Sequence, residues 1–265
     1  MKYVPLNKMD QPTAAKGNNM IAVLCNNVSR GSAAMLADAL KAKLFNGKET
    51  EKRDFTEFTH VFKYGFSGKI KANFVFNKAK PTEVAIDKIA SFQALAQENI
   101  TVPFTLDIAE ASRWVAEGGC AVAREKSRAC NAIGLRFCNK ENGLLSSAPA
   151  KFWTRYKYHT DELRVNVWRG KVVSVYTKVQ QQDEDGWRFK FTLFNGVEDH
   201  PQLVDIVQKV YNNIKLDWCG IDILRDKYGH LMVLEVNSAP LLIEETLKKL
   251  AKLVKKTIHD DNQTT

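Results

Sequence analysis

The chain has 265 residues, 45% hydrophobic and 26% charged, a composition that suits two or three packed lobes and excludes a disordered or fibrous chain. Its 39 Lys and Arg against 30 Asp and Glu leave a formal charge of +9, which favours an anionic partner (nucleotide, nucleic acid or acidic peptide) without choosing among them. No apolar run approaches the roughly 18 residues of a membrane helix, Met1 to Asp10 has no apolar signal core, and five scattered cysteines without a CxxC pair fit reduced thiols in a cytoplasmic protein.

Residues 1–19 are polar and irregular, and Met20 to Cys25 then reads as a buried strand. The cap-rich turn Asn26 to Ser32 follows, and leucines 36, 40 and 44 give Ala33 to Leu44 a helical spacing. Val28 to Ser32, at that helix start, suits an ordinary cap better than an anion site. Asn73 to Asn77 is a short strand ended by Pro81. Ile86, Ile89, Phe92 and Leu95 predict a helix from about Glu83 to Asn99, closed by Val102-Pro103-Phe104. Asp107 to Ala116 is the next predicted helix. Cys120 to Arg124 and Ile133 to Cys138 are predicted strands around an irregular loop.

Lys151 to Val179 is mostly strand, with Arg169-Gly170 as a two-residue hairpin turn between Leu163 to Trp168 and Lys171 to Val179. A polar stretch, Gln180 to Gly186, precedes an amphipathic helix over Gln202 to Ile214. Cys219 to Leu224 and His230 to Asn237 form a second hairpin, and a lysine-rich helix runs from about Glu244 to Ile258. Its Lys248, Lys249, Lys252, Lys255 and Lys256 read as a solvated face, with docking of an acidic chain as the alternative. The mix of helices and antiparallel hairpins argues for an α+β protein and against a single doubly wound sheet.

The second hairpin carries the chemistry. Strand alternation puts Glu235 and Asn237 on one face and Met232, Leu234 and Val236 on the other. A turn near Tyr228 sets Asp222 opposite Glu235. Three oxygen donors then meet on adjoining strands, a set that suits hard magnesium ions shared with phosphates. No Ser-His-Asp or Cys-His grouping appears, and the five histidines are dispersed.

Several segments together resemble the ATP-grasp superfamily, in family order. They are Val84 to Lys88 with Asn99 to Thr105, Ala121 to Arg124, Glu162 to Val167, Tyr176 to Lys178, Gly220 to Asp222, and Leu234 to Asn237. The likeness is to phage-encoded ATP-grasp proteins related to the ribosomal-protein glutamate ligases and glutathione synthetase. It implies two α+β lobes gripping ATP, preceded by a small α/β pre-ATP-grasp domain. The expected division is 1–80 for that domain and 81–265 for the ATP-grasp domain, with a central lid lobe at about 113–150 and a C-terminal lobe at 151–265.

The resemblance implies ATP and two Mg2+ ions, with Mn2+ as a possible substitute, and a carboxylate joined to an amine on an amino acid, peptide or protein. It assigns Asp222, Glu235 and Asn237 to the metal, and Lys88 and Arg124 to the nucleotide phosphates. Arg164 and Lys178 are expected to stabilise the transferring phosphoryl group or the tetrahedral intermediate. The backbone of Trp153, Thr154, Arg155 and Tyr156 meets the adenine edge, and Glu162 makes a ribose or substrate contact. The chain departs from the family pattern twice. The flap Glu125 to Ile133 has no glycine, leaving Ser127, Arg128 and Asn131 to cover phosphates, and Leu241 and Leu242 stand where relatives have glycine. Two other readings compete: a nucleic-acid-associated protein, from the basic-aromatic run Lys151 to Tyr158, and an ATP-grasp kinase or pseudoenzyme.

Overall fold

The computed structural model describes residues 20–50, 53–128, 134–141, 150–183, 186–196 and 200–263. Residues 1–19, Cys130 and Asn131 lie outside that set. The described chain runs β1 (Ile21–Cys25), α1 (Arg30–Leu40), β2 (Lys43–Asn46), the single turn α2 (Gly47–Thr50), β3 (His60–Tyr64), β4 (Phe74–Phe76), α3 (Ala79–Ile86), α4 (Lys88–Leu95), β5 (Phe104–Thr105) and α5 (Ile108–Ala116). It continues with β6 (Ala121–Arg124), β7 (Leu135–Cys138), β8 (Phe152–Arg155), β9 (Asp161–Trp168), β10 (Lys171–Asp183), β11 (Gly186–Leu193), α6 (Pro201–Ile214), β12 (Trp218–Arg225), β13 (Leu231–Asn237) and α7 (Glu244–Gln263).

Three sheets result: a parallel β2-β1-β3-β4, an antiparallel β5-β8-β6-β7, and an antiparallel β11-β10-β9-β12-β13. The α+β expectation, with a small α/β unit first, describes this architecture. Arg169 and Gly170 both take positive φ (47° and 76°), as a tight turn between β9 and β10 requires.

Several predicted boundaries are corrected. The first helix stops at Leu40, because Lys41 enters the left-handed region and its N–H returns to the carbonyls of Ala37 and Asp38. Leu44 therefore lies on β2, paired with Val23. The single helix expected over residues 83–99 is two helices broken at Asp87. That residue is extended, and its carboxylate accepts from the N–H groups of Ile89 and Ala90 to cap α4. Pro81 sits inside the first turn of α3, where a missing N–H costs nothing. The polar stretch after Val179 continues β10 and turns into β11, a strand that the sequence pattern does not announce. The last helix extends to Gln263.

The five-stranded sheet organises the molecule. One face carries Leu163, Val165, Val167, Ile221, Ile223, Val233 and Val236 against Val207, Val210 and Leu203 of α6. The other face is covered at one end by a cluster of Phe92, Val102, Phe152 and Leu224. At its other end α7 packs on it and on the N-terminal unit, where Leu250 and Val254 join Leu36, Phe62, Trp168 and Trp218 in one core. The outer edge of β13 is bridged at one point, with Val102 N–H donating to the Val233 carbonyl and Val233 N–H to the Ile100 carbonyl. No helix among the described residues is long and apolar enough to cross a membrane.

Candidate active site

The middle of the five-stranded sheet is polar on the face opposite α6, and the strand register explains why. Tyr176, Arg164, Asp222 and Glu235 stand in one row across four strands, and Ser174, Asn166, Gly220 and Asn237 in the next. Asp222, Glu235 and Asn237 therefore share one face, with Asp222 and Glu235 as direct cross-strand neighbours, whose Cβ atoms lie about 5 Å apart in such pairs. A bulge between Asp222 and Ile223 inserts one extra residue into β13. This corrects the expected alternation: Met232 and Leu234 turn to the Phe92–Phe152 cluster on the polar side, and Val233 joins Val236 in the opposite core.

Asp222 is the hub. It is 2% exposed, and both its oxygens are engaged. Arg164 grips it in a fork, Nε on one oxygen and Nη2 on the other at 3.0 Å, and Lys178 Nζ donates at 2.9 Å. Lys178 also donates to Glu162. Burial pushes the Asp222 carboxyl up, but the charges and hydrogen bonds of Arg164 and Lys178 outweigh it and hold the pKa below the usual carboxylate range. Burial likewise works against the charged forms of Arg164 and Lys178, and their carboxylate partners raise both above their ordinary values.

Lys88, the first residue of α4, reaches Glu235 at 2.9 Å. Arg124 is buried beside them on β6. Its Nε donates to Thr154 Oγ1 at 3.4 Å and its guanidinium lies 5.7 Å from the Phe152 ring centre. Burial lowers the Arg124 pKa, with the Glu235 charge opposing. The flap base is tied down in the same place: Ser127 Oγ donates to Asp87, Lys88 N–H donates to the Ser127 carbonyl, and Arg128 lies 3.5 Å from Asp87. Ser127 and Arg128 thus reach the first turn of α4, while Asn131 lies outside the described residues. Asn237 makes no side-chain hydrogen bond to any described residue.

Lys88, Arg124, Thr154, Glu162, Arg164, Lys178, Asp222, Glu235 and Asn237 are brought together. Trp153, Arg155 and Tyr156 are not. Strand β8 lies between β5 and β6 and is paired on both sides, the Arg155 N–H going to Pro103 and the Tyr156 N–H to Cys120. Trp153 turns away into the cluster with Ala111 and Trp114 of α5, and Arg155 pairs with Glu117. The backbone N–H groups of Arg155 and Tyr156 are therefore already taken. The burial of Phe152 and Trp153 also removes two of the four aromatics of the basic-aromatic run from any stacking role with nucleic acid, while Tyr158 stays 86% exposed.

Two aromatics went unread in the sequence. Phe189 and Phe191 on β11 flank the cations, with Lys178 Nζ 4.3 Å from the first ring centre and the Arg164 guanidinium 5.5 Å from the second. Their alternation in Phe189-Lys190-Phe191 was the available signal.

The loop after β13 closes the site against the N-terminal unit. Tyr64 Oη donates to the Pro240 carbonyl, and Leu242 N–H donates to Ser32 Oγ at 3.1 Å. Gly220 is what lets this loop approach the sheet. A Cβ there would lie 2.7 Å from Pro240 Cβ and 3.0 Å from Arg164 Cδ. Gly220→Ala is expected to cost about 1–3 kcal/mol by overpacking and to displace Arg164, read as a fall in Tm with any activity reduced. An unchanged Tm would refute the close packing.

Residues 156–259 match the model of the RimK-like ATP-grasp domain. No curated protein matches the sequence. The fold is similar to that of the ATP-grasp ligase PsnB complexed with minimal precursor, Mg and ADP (TM-score 0.68, 13% identity, 93% of this chain and 100% of that one). It is similar also to D-alanine–D-alanine ligase from Bacillus anthracis complexed with ATP (0.67, 14%, 93% and 99%) and to the D-cycloserine synthetase DcsG (0.67, 15%, 90% and 99%).

Proposed function

We propose, from the match of residues 156–259 to the RimK-like ATP-grasp domain and the likeness of fold to ATP-grasp ligases, that this chain is an ATP-dependent, ADP-forming ligase that joins a carboxylate to an amine. The single observation that carries the reading is the Arg164–Asp222–Lys178 cluster beside the Lys88–Glu235 pair, on the polar face of the five-stranded sheet. Such a face places fixed cations and oxygen donors where a triphosphate needs both. The substrates fit an amino acid and a peptide, protein or small amine, in the cytoplasm, or the host cytoplasm for a phage-encoded chain.

The donor set fits magnesium. Asp222, Glu235 and Asn237 supply hard oxygen ligands on adjoining strands, and the Asn237 amide is unspent among the described residues. Bound there, Mg2+ would neutralise phosphate charge and polarise the γ-phosphoryl group. The chain's own residues do the rest. Lys88 and Arg124 reach the site from α4 and β6 and hold phosphate oxygens. Arg164 and Lys178, neutralised by Asp222 and Glu162 in the free protein, can share their charge with incoming phosphate. In the reaction, a substrate carboxylate oxygen bonds to the γ-phosphorus as the bond to ADP breaks. An amine nitrogen then attacks the acyl carbon, phosphate leaves, and the nitrogen loses its proton. The negative charge grows on oxygens, so the site needs positioned cations and no side-chain nucleophile.

The test is ADP release from Mg·ATP, screened over amino acids and peptides singly and in pairs. A ligase releases ADP in step with amide formation only when carboxylate and amine are both present. Release with an alcohol acceptor alone would establish a kinase, and Mg·ATP binding without release under any pairing would establish a pseudoenzyme.

A further inference from the structure

A buried cation outside this site bears on what else the substrate carries. Lys63, on β3, is 1% exposed. It pairs through its backbone with Leu24, so its side chain enters the apolar layer of Ala22, Leu24, Phe45 and Val61. Its ammonium lies 5.6 Å from the Phe66 ring centre, and no hydrogen-bond acceptor among the described residues pairs with it. An unpaired ammonium in such a layer is costly. Burial pushes its pKa down to about 8, opposed only by the more distant charge of Glu83. A purely structural position would be better served by methionine.

Position gives the charge a use. Phe66 marks where the ammonium sits. A Cβ on Gly47 would meet that ring at 3.4 Å and the Cys25 carbonyl oxygen at 3.6 Å, which places ring and ammonium at the carboxyl ends of the parallel strands. From β1 the chain crosses to β2 on one side, and β3 lies on the other. That is the switch point, outside whose strand ends open parallel sheets bind ligands. The loop after Asn237 lies across it: Gly65 takes φ 71° and a Cβ there would come 2.8 Å from Ala239 Cβ. These strand ends therefore adjoin the candidate active site through one loop.

We propose that Lys63 binds an anionic group, carboxylate or phosphate, on the substrate at the β1–β3 switch point, apart from the nucleotide. The word "substrate" rests on the ligase reading; the anion site does not.

The full chain is titrated with glutarate and, separately, inorganic phosphate, with thermal stability and the NMR signal of the lysine ε-carbons as readouts. Lys63→Met identifies the Lys63 signal, and Lys63→Gln guards against a folding defect. One probe is expected to raise the wild-type Tm and return the Lys63 pKa from about 8 towards its ordinary value. Both variants should lose affinity for that probe by about tenfold or more, as expected for one hydrogen bond to a charged group. Lys63→Met should melt higher than wild type without any anion. Wild type that ignores both probes, or variants that respond as wild type does, overturns the proposal. A parallel Mg·ADP titration separates the two readings: a wild type that binds the anion and not Mg·ADP sinks the ligase and leaves the anion site.

Discussion

Asp222→Ala should destabilise the protein as well as silence it. From sequence alone the residue reads as a metal ligand on an ordinary hairpin, whose loss would spare the fold. In three dimensions it is the shared counter-ion of Arg164 and Lys178, at 2% exposure. Removing one member of a buried charge network leaves the others unpaired, at about 3–5 kcal/mol, or a fall in Tm on the order of 10 °C for a chain of this size. Lys178 keeps Glu162; Arg164 has no second partner of that quality. Asp222→Asn, which preserves shape, should fold better and still lose about 10²–10³-fold in turnover, the usual scale for a preorganised charge.

Acid titration gives the same test without turnover. The folded Asp222 pKa is lowered, so its contribution is present above the ordinary carboxylate value of roughly 4 and is lost as pH falls from there through the lowered folded value. The stability gap between wild type and Asp222→Asn should therefore narrow in acid. A gap that stays constant, or a fully stable Asp222→Ala, contradicts the hub.

Glu235→Gln should separate chemistry from stability. Its side chain is 28% exposed and its one ion-pair partner among the described residues is Lys88, so the pair is worth about 1 kcal/mol or less and the Tm should barely move. Turnover should fall by about 10²–10³-fold, with a steeper requirement for Mg2+, because a hard oxygen anion has been replaced by a weaker neutral donor. Asn237→Ala should act in the same direction. Unaltered Mg2+ dependence in both variants would remove these two residues from the metal site.

The hairpin around residues 226–229 was legible because its signals are local: alternation, a polar turn, and acids at fixed spacing. Register then put Asp222 opposite Glu235 as that spacing implied. The bulge was not legible, since Met232, Leu234 and Val236 alternate in the sequence as a regular strand would. Which of them faces the core was decided by the Phe92–Phe152 cluster packed over one end of the sheet. Strand β11 was hidden in a polar run, because what stabilises it is pairing with β10 and a role in flanking two cations.

The sequence by itself determined the α+β class, the N-terminal unit's first strand–turn–helix, the β9–β10 and β12–β13 hairpins, and the residue types of the site, but not strands β2, β3 and β11. These follow from short-range rules of backbone geometry and period. Tertiary structure alone decided who neutralises whom. In the sequence Lys63 belongs to no motif and Asp222 reads as a metal ligand; burial leaves the first without a partner among the described residues and gives the second two. Charge pairing depends on distance and desolvation across segments far apart in the chain, and linear spacing carries neither.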